Sequence, residues 1–153
     1  MPFESTERSS ASVIYFEVSG PQEVARLSWQ DVDLEEREIC ISARHSKTGG
    51  ARRVPLSPPL LQLLIKHAGK GRICPPNWQH RWQMLRRSAG FTTWVPDVLR
   101  HTFASYHIKQ HRDMAALQLS MGHRDQRLLM SRYINLRGIS RRDAADFWRL
   151  QLC

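Results

Sequence analysis

Apolar positions along the chain fall into short runs whose spacing changes from one segment to the next. V-I-Y-F-E-V (13–18) fits either a short helix or a short strand, and Gly20-Pro21 breaks it. P-Q-E-V-A-R-L-S-W then sets Val24 and Leu27 on one face behind a proline, which predicts a helix with Pro at its first position. Asp31 to Arg37 reads as a turn leading into a strand. E-I-C-I-S (Glu38–Ser42) and A-R-R-V-P-L-S (Ala51–Ser57) carry alternating β-branched and polar positions and predict two strands. The polar segment A-R-H-S-K-T-G-G between them predicts a hairpin with a long tip. Pro55 has no amide proton to donate, so it confines the second strand to a sheet edge.

From there the period becomes helical. Pro58-Pro59 opens L-L-Q-L-L-I-K-H, which Gly69 and Gly71 stop, and R-I-C-P-P-N follows as a loop. Trp78–Ala89 predicts a helix with a basic face, closed by Gly90. A further helix runs from Asp97, its expected N-cap, to about Gln110. Asp113 caps D-M-A-A-L-Q-L-S-M, and Gly122 ends it. L-L-M-S-R-Y-I-N-L is another short helix. Ser140 caps the last one, with Ala144, Phe147 and Trp148 on its apolar face. The expected class is α+β, mainly α: a helical bundle with a small β-hairpin or sheet near its N-terminal part. No βαβ alternation is present, which argues against a nucleotide-binding fold. Residues 1–12 are polar and expected to be disordered, and 13–153 are expected to form one domain.

Composition changes this picture in one respect. Lys plus Arg is 23 against 14 for Asp plus Glu, a net charge of +9. That is the footprint of a polyanion binder. Arginine recurs in pairs (Arg52-Arg53, Arg86-Arg87, Arg141-Arg142), and its planar fork suits phosphate oxygens. Three scattered cysteines offer neither a disulfide framework nor a zinc site. The chain has no apolar run of membrane-spanning length and no signal-peptide core, so a cytoplasmic setting is expected.

Four residues stand apart from the scaffold. Lys47 sits at the hairpin tip, Arg100 near a helix start, His123 just past a helix end, and Tyr133 ten residues later. Together they could act on a phosphodiester without a metal or cofactor. Tyrosine attacks phosphorus, arginine neutralises the non-bridging oxygens, lysine protonates the leaving oxygen, and histidine manages a proton. Singly, each has a plain alternative: a solvated loop lysine, an arginine paired with Asp97 one turn away, a histidine at a helix C-terminus, a half-buried tyrosine.

Their order and local wording carry more. P-Q-E-V-A-R-L-S-W-Q-D-V-D-L, S-K-T-G-G-A-R-R-V-P-L, L-R-H-T-F-A-S-Y-H, and L-S-M-G-H-R-D followed by S-R-Y resemble, in order, four motifs of the tyrosine recombinase (phage integrase) catalytic domain. The resemblance runs from about Gly20 to Trp148. It implies that Tyr133 is the nucleophile of a 3′-phosphotyrosyl link, Arg100 the second catalytic arginine, His123 the late histidine and Lys47 the general acid. It implies DNA contacts at His101, Arg52, Arg53 and Arg132, and no metal or cofactor.

Two departures follow from the same comparison. The family's first arginine precedes P-x-E, and here Gly20 holds that slot. Aspartate stands at residue 97, where the family often has histidine. Loss of one preorganised donor to a transition-state oxyanion typically lowers the rate by on the order of 10²–10³. The resemblance thus implies a DNA-binding recombinase domain with weak or absent strand cleavage, lacking the separate N-terminal DNA-clamping domain. The alternatives are a non-catalytic DNA-binding module derived from an integrase and a basic RNA-binding helical domain. Double-stranded DNA is the expected partner. A homo-oligomer or synaptic complex could form through the Phe147-Trp148 face, unless that face packs on its own domain.

Overall fold

Side-chain caps decide where most of the helices begin. The computed structural model describes residues 21–46 and 49–149. The 13–18 segment, Gly20, Lys47 and Cys153 lie outside them. In chain order the elements are α1 (Pro21–Val24), a 3-10 turn (Trp29–Asp31), β1 (Val32–Asp33), β2 (Glu38–Ile41), β3 (Arg52–Pro55), α2 (Pro58–Lys66), α3 (Trp78–Ser88), α4 (Val98–His111), α5 (Met114–Met121), α6 (Gln126–Arg132) and α7 (Arg141–Trp148). Ser57 caps α2, Asp113 caps α5 through the Ala116 amide at 2.9 Å, and Asp125 caps α6. Ser140 and Asp143 form a reciprocal capping box on α7.

Asp97 corrects the expectation. It occupies the N-cap position of α4, but in the left-handed region (φ 58°, ψ 14°) and with no side-chain cap bond. A capping carboxylate needs extended backbone to reach the amides of the first turn, and Asp97 does not have it.

Two other expectations change. The first helix lasts only from Pro21 to Val24. Beyond it the chain is drawn into a bridge between Ser28 and Arg72, with Trp29 donating to the Gly71 carbonyl and Ile73 to that of Leu27. The hairpin also gains a third strand. Val32 and Asp33 pair with Ile39 and Glu38 across a turn in which Arg37 takes positive φ, giving an antiparallel sheet of order β1-β2-β3. β3 is an edge, as Pro55 requires.

Two apolar clusters fill the interior. The first joins the sheet to α2 and the start of α3 through Val24, Leu27, Ile39, Ile41, Val54, Leu60, Leu64, Ile73 and Trp78. The second gathers Phe103, Ala104, Leu117, Met121, Leu129 and Tyr133. Helix α4 serves both, with Leu99 against the first and Phe103 and Ala104 in the second. Cys74 is buried in the first cluster, where burial pushes its thiol pKa up to about 12. No helix among the described residues is long and apolar enough to cross a membrane.

The last helix lies on its own domain. Phe147 packs on Tyr106 with ring centres 4.4 Å apart, and Trp148 stands edge-on to Phe103 at 5.8 Å and to His111 at 5.3 Å. Burial, and then the neighbouring His111, lower the His107 pKa to about 4 from an ordinary 6.5, with Asp113 opposing. The fold therefore favours neutral His107. Its stabilising contribution is complete above the ordinary value and is lost as pH falls from 6.5 toward 4. Thermal melts across that window should show a falling Tm that flattens in His107→Gln; an equal slope in both proteins would disprove the assignment.

Candidate active site

Arg100 sits in the first turn of α4, one residue beyond Leu99, where the two clusters meet. Its guanidinium reaches the end of α5, and one terminal nitrogen donates to the Met121 carbonyl at 2.6 Å. That carbonyl is available because the last carbonyls of a helix have no intrahelical partner. Gly122, at φ 66°, ends α5 in a Schellman turn, with the His123 amide donating to Gln118 and the Gly122 amide to Leu119. The turn delivers His123 to Arg100, whose terminal nitrogen lies 3.1 Å from His123 Nε2. A guanidinium has no acceptor, so Nε2 must accept, and the ring proton sits on Nδ1.

Tyr133 closes the group. It is the residue at which α6 ends, and it is buried. Its ring lies 4.9 Å from that of His101 and 4.9 Å from that of His123, with the Arg100 guanidinium carbon 5.7 Å from its centre. Its carbonyl is met by Ser105 Oγ at 3.5 Å, and that hydroxyl accepts from the Asn135 amide at 2.9 Å. Arg100 and His101 of α4, His123 of the turn after α5 and Tyr133 at the end of α6 thus come together.

Electrostatics give the cluster a direction. Burial is the main force lowering the Arg100 pKa, and Arg52 adds to it, while Tyr133, Glu23 and Asp97 oppose. Arg100 Nε is buried without a hydrogen-bond partner. A desolvated guanidinium with an open donor favours an anion. His123 is lowered by burial first, then by Arg100, Arg52 and Arg132, which keeps it neutral.

The other expected residues separate. Arg52 turns inward and forms a two-pronged ion pair with Glu23 at 3.3 and 3.0 Å, the two side chains being 6% and 8% exposed. Its guanidinium lies on Gly122: a Cβ there would stand 2.9 Å from Arg52 Cζ. Arg53, the next residue on the strand, is 68% exposed and pairs with Glu38. Arg132 is exposed one residue before Tyr133. Glu23 and Gly122 were not singled out as functional from the sequence. Glu23 stands four residues before the apolar Leu27, a helical spacing that in the sequence predicts an inward side chain, which is the signal that could have found it.

Comparison with known proteins adds three findings. The model of the Phage integrase family matches residues 18–138. Tyrosine recombinase XerD of Mycobacterium leprae (strain TN) is 27% identical over 147 residues, covering 80% of this chain and 46% of its own length. Tyrosine recombinase XerC of Proteus mirabilis is 26% identical over 141 residues, with 80% and 45% covered. The chain spans about half the length of these curated relatives. Among solved structures, the crystal structure of XerA recombinase superposes with a TM-score of 0.71 at 23% identity, covering 97% of this chain and 59% of that one. The integrase from mycobacterium phage Brujita gives 0.62 at 20% identity, covering 98% and 54%. Both share the fold, mainly helical with a small antiparallel sheet.

The geometry sets the behaviour of His123. In an NMR titration its midpoint should lie below 6.5, and Arg100→Gln should move it up, because a neighbouring positive charge has been removed. An ordinary midpoint in the unaltered protein would contradict the arrangement.

Proposed function

The chain belongs to the phage integrase family, and from that premise we propose that it is a DNA-binding catalytic domain of the tyrosine recombinase type with attenuated strand cleavage. The observation that carries this reading is the meeting of Arg100, His123 and Tyr133 around one buried guanidinium with an open donor.

In the proposed reaction Tyr133 Oη attacks a backbone phosphorus of duplex DNA. The tyrosyl O–P bond forms as the P–O5′ bond breaks, leaving a 3′-phosphotyrosyl link and a 5′ oxygen. Neutral His123 is suited to take the phenolic proton once the phosphate draws Arg100 away from its Nε2. Lys47 is the proposed donor to the 5′ oxygen. Arg100 places a charged donor on the non-bridging oxygens, where charge grows in the transition state. His101, its ring tilted against that of Tyr133, positions the nucleophile. Rejoining needs no energy-supplying cofactor, because the phosphotyrosyl link keeps the energy of the broken phosphodiester, and the charge-neutralising and leaving-group roles fall to Arg100 and Lys47 rather than to a metal.

Binding rests on phosphate contacts, with exposed Arg53 and Arg132 as contributors. A cytoplasmic setting and a synaptic complex with further protomers belong to the same reading. Gly20 in the slot of the first arginine supports the attenuation. It also favours a second reading, a binding module that holds DNA without cleaving it.

A nicked suicide duplex separates the two. On a denaturing gel, a faint covalent adduct should form, vanish in Tyr133→Phe and rise in Gly20→Arg by on the order of 10². No adduct in either protein, with DNA still bound, selects the binding module. Affinity should fall steeply with salt as phosphate contacts release counterions, and a flat response would reject both readings.

A further inference from the structure

Two buried guanidiniums from different elements hold the same three-residue turn. Arg100 of α4 grips it through the Met121 carbonyl and His123 Nε2. Arg52 of β3 lies against Gly122 between them, in space that only a glycine leaves open. We propose that Arg52, braced by Glu23 and seated on Gly122, is the second cation of the anion site and acts on a bound phosphodiester together with Arg100.

Strand alternation explains why Arg52 and not its neighbour is placed here. Successive side chains on β3 point to opposite faces, so Arg53 faces outward while Arg52 turns toward α5. The ion pair with Glu23 is a poor device for stability alone. Removing two charges from water is costly, and well-packed apolar side chains often do as well. It is a good device for position: a two-pronged contact fixes the plane of a guanidinium as well as its distance.

Charge accounting points the same way. Among the described residues, Arg100, Arg52 and Arg132 act on the neutral His123 and only the Glu23 and Asp97 carboxylates oppose them at Arg100, so the field at the turn is positive. Arg52 is felt through its pairing, because it lowers the pKa of both Arg100 and His123. The same field reaches an anion placed between them. A positive field suits an anion such as a phosphodiester. Glu23 and Gly122 are then positioning residues: one aims Arg52, the other lets it approach.

The inference deepens the reading of the site as a phosphodiester site, so its test avoids strand cleavage. The groups that face His123 are Arg100, Arg52, Arg132 and Tyr133. In the full chain, the NMR midpoint of His123 and the affinity for inorganic phosphate are followed in Arg52→Met, Arg52→Lys and Glu23→Gln. Arg52→Met should raise the midpoint and weaken phosphate binding about tenfold, the loss of one charge-assisted contact. Arg52→Lys should keep the midpoint low. Glu23→Gln leaves the Arg52 charge unopposed, so the midpoint should stay or fall.

A purely structural role would loosen the turn in both neutralising variants and raise the midpoint in both. A rise in Glu23→Gln, or no change of midpoint and affinity in Arg52→Met, overturns the proposal. If Arg52→Met does not fold, Glu23→Gln decides alone: a midpoint that stays or falls supports the proposal, and a rise overturns it. An absent DNA adduct alongside the expected shifts would leave this inference standing and would count against catalysis only.

Discussion

The hydrogen bonds from Arg100 to the end of α5 are the constraint on which the site depends. One guanidinium nitrogen meets both the Met121 carbonyl and His123 Nε2. It thereby satisfies an orphan helix carbonyl, fixes the imidazole tautomer, and sets a permanent cation beneath the Tyr133 ring. Neutral hydrogen bonds contribute about 1 kcal/mol each, and those to charged groups about twice that. Their larger effect here is geometric. They tie α4 to the turn after α5, and the tyrosine that ends α6 packs on the same residues.

Packing makes this arrangement rigid. The two apolar clusters meet along α4, so Arg100 is anchored by Leu99 on one side and by Phe103 and Ala104 one turn later on the other. Tyr133 is itself a member of the second cluster. Its ring contributes to the core while its position contributes to the candidate site, so stability and placement of the proposed nucleophile are built from the same side chain. Gly122 has a similar double duty. Its positive φ ends α5, and its missing side chain admits Arg52.

Most elements were legible because they are punctuated. Pro58-Pro59 at the start of α2, Ser140 before α7, Asp113 before α5 and Gly122 after it each act through local backbone chemistry, which sequence displays directly. The misses have long-range causes. The first helix is cut short by a bridge to Arg72 far along the chain. β1 has only two residues, too few for an alternation to show. Asp97 looks like a cap in sequence, and only its left-handed backbone reveals otherwise. At the site, Arg100, His123 and Tyr133 were legible through the resemblance of their motifs. The Glu23–Arg52 pair was not, because a contact between residues 29 apart leaves no periodic signal.

The proposed role of Arg100 turns on whether its open donor faces the phosphate. A two-dimensional NMR experiment that observes arginine Nε–H groups, recorded while a nicked duplex is added, reads this directly. The Arg100 Nε–H signal should shift downfield as the DNA binds, because a buried donor without a partner gains a charged acceptor. Saturating DNA binding with shifts confined to exposed arginines such as Arg53 and Arg132, and none at Arg100, would contradict it.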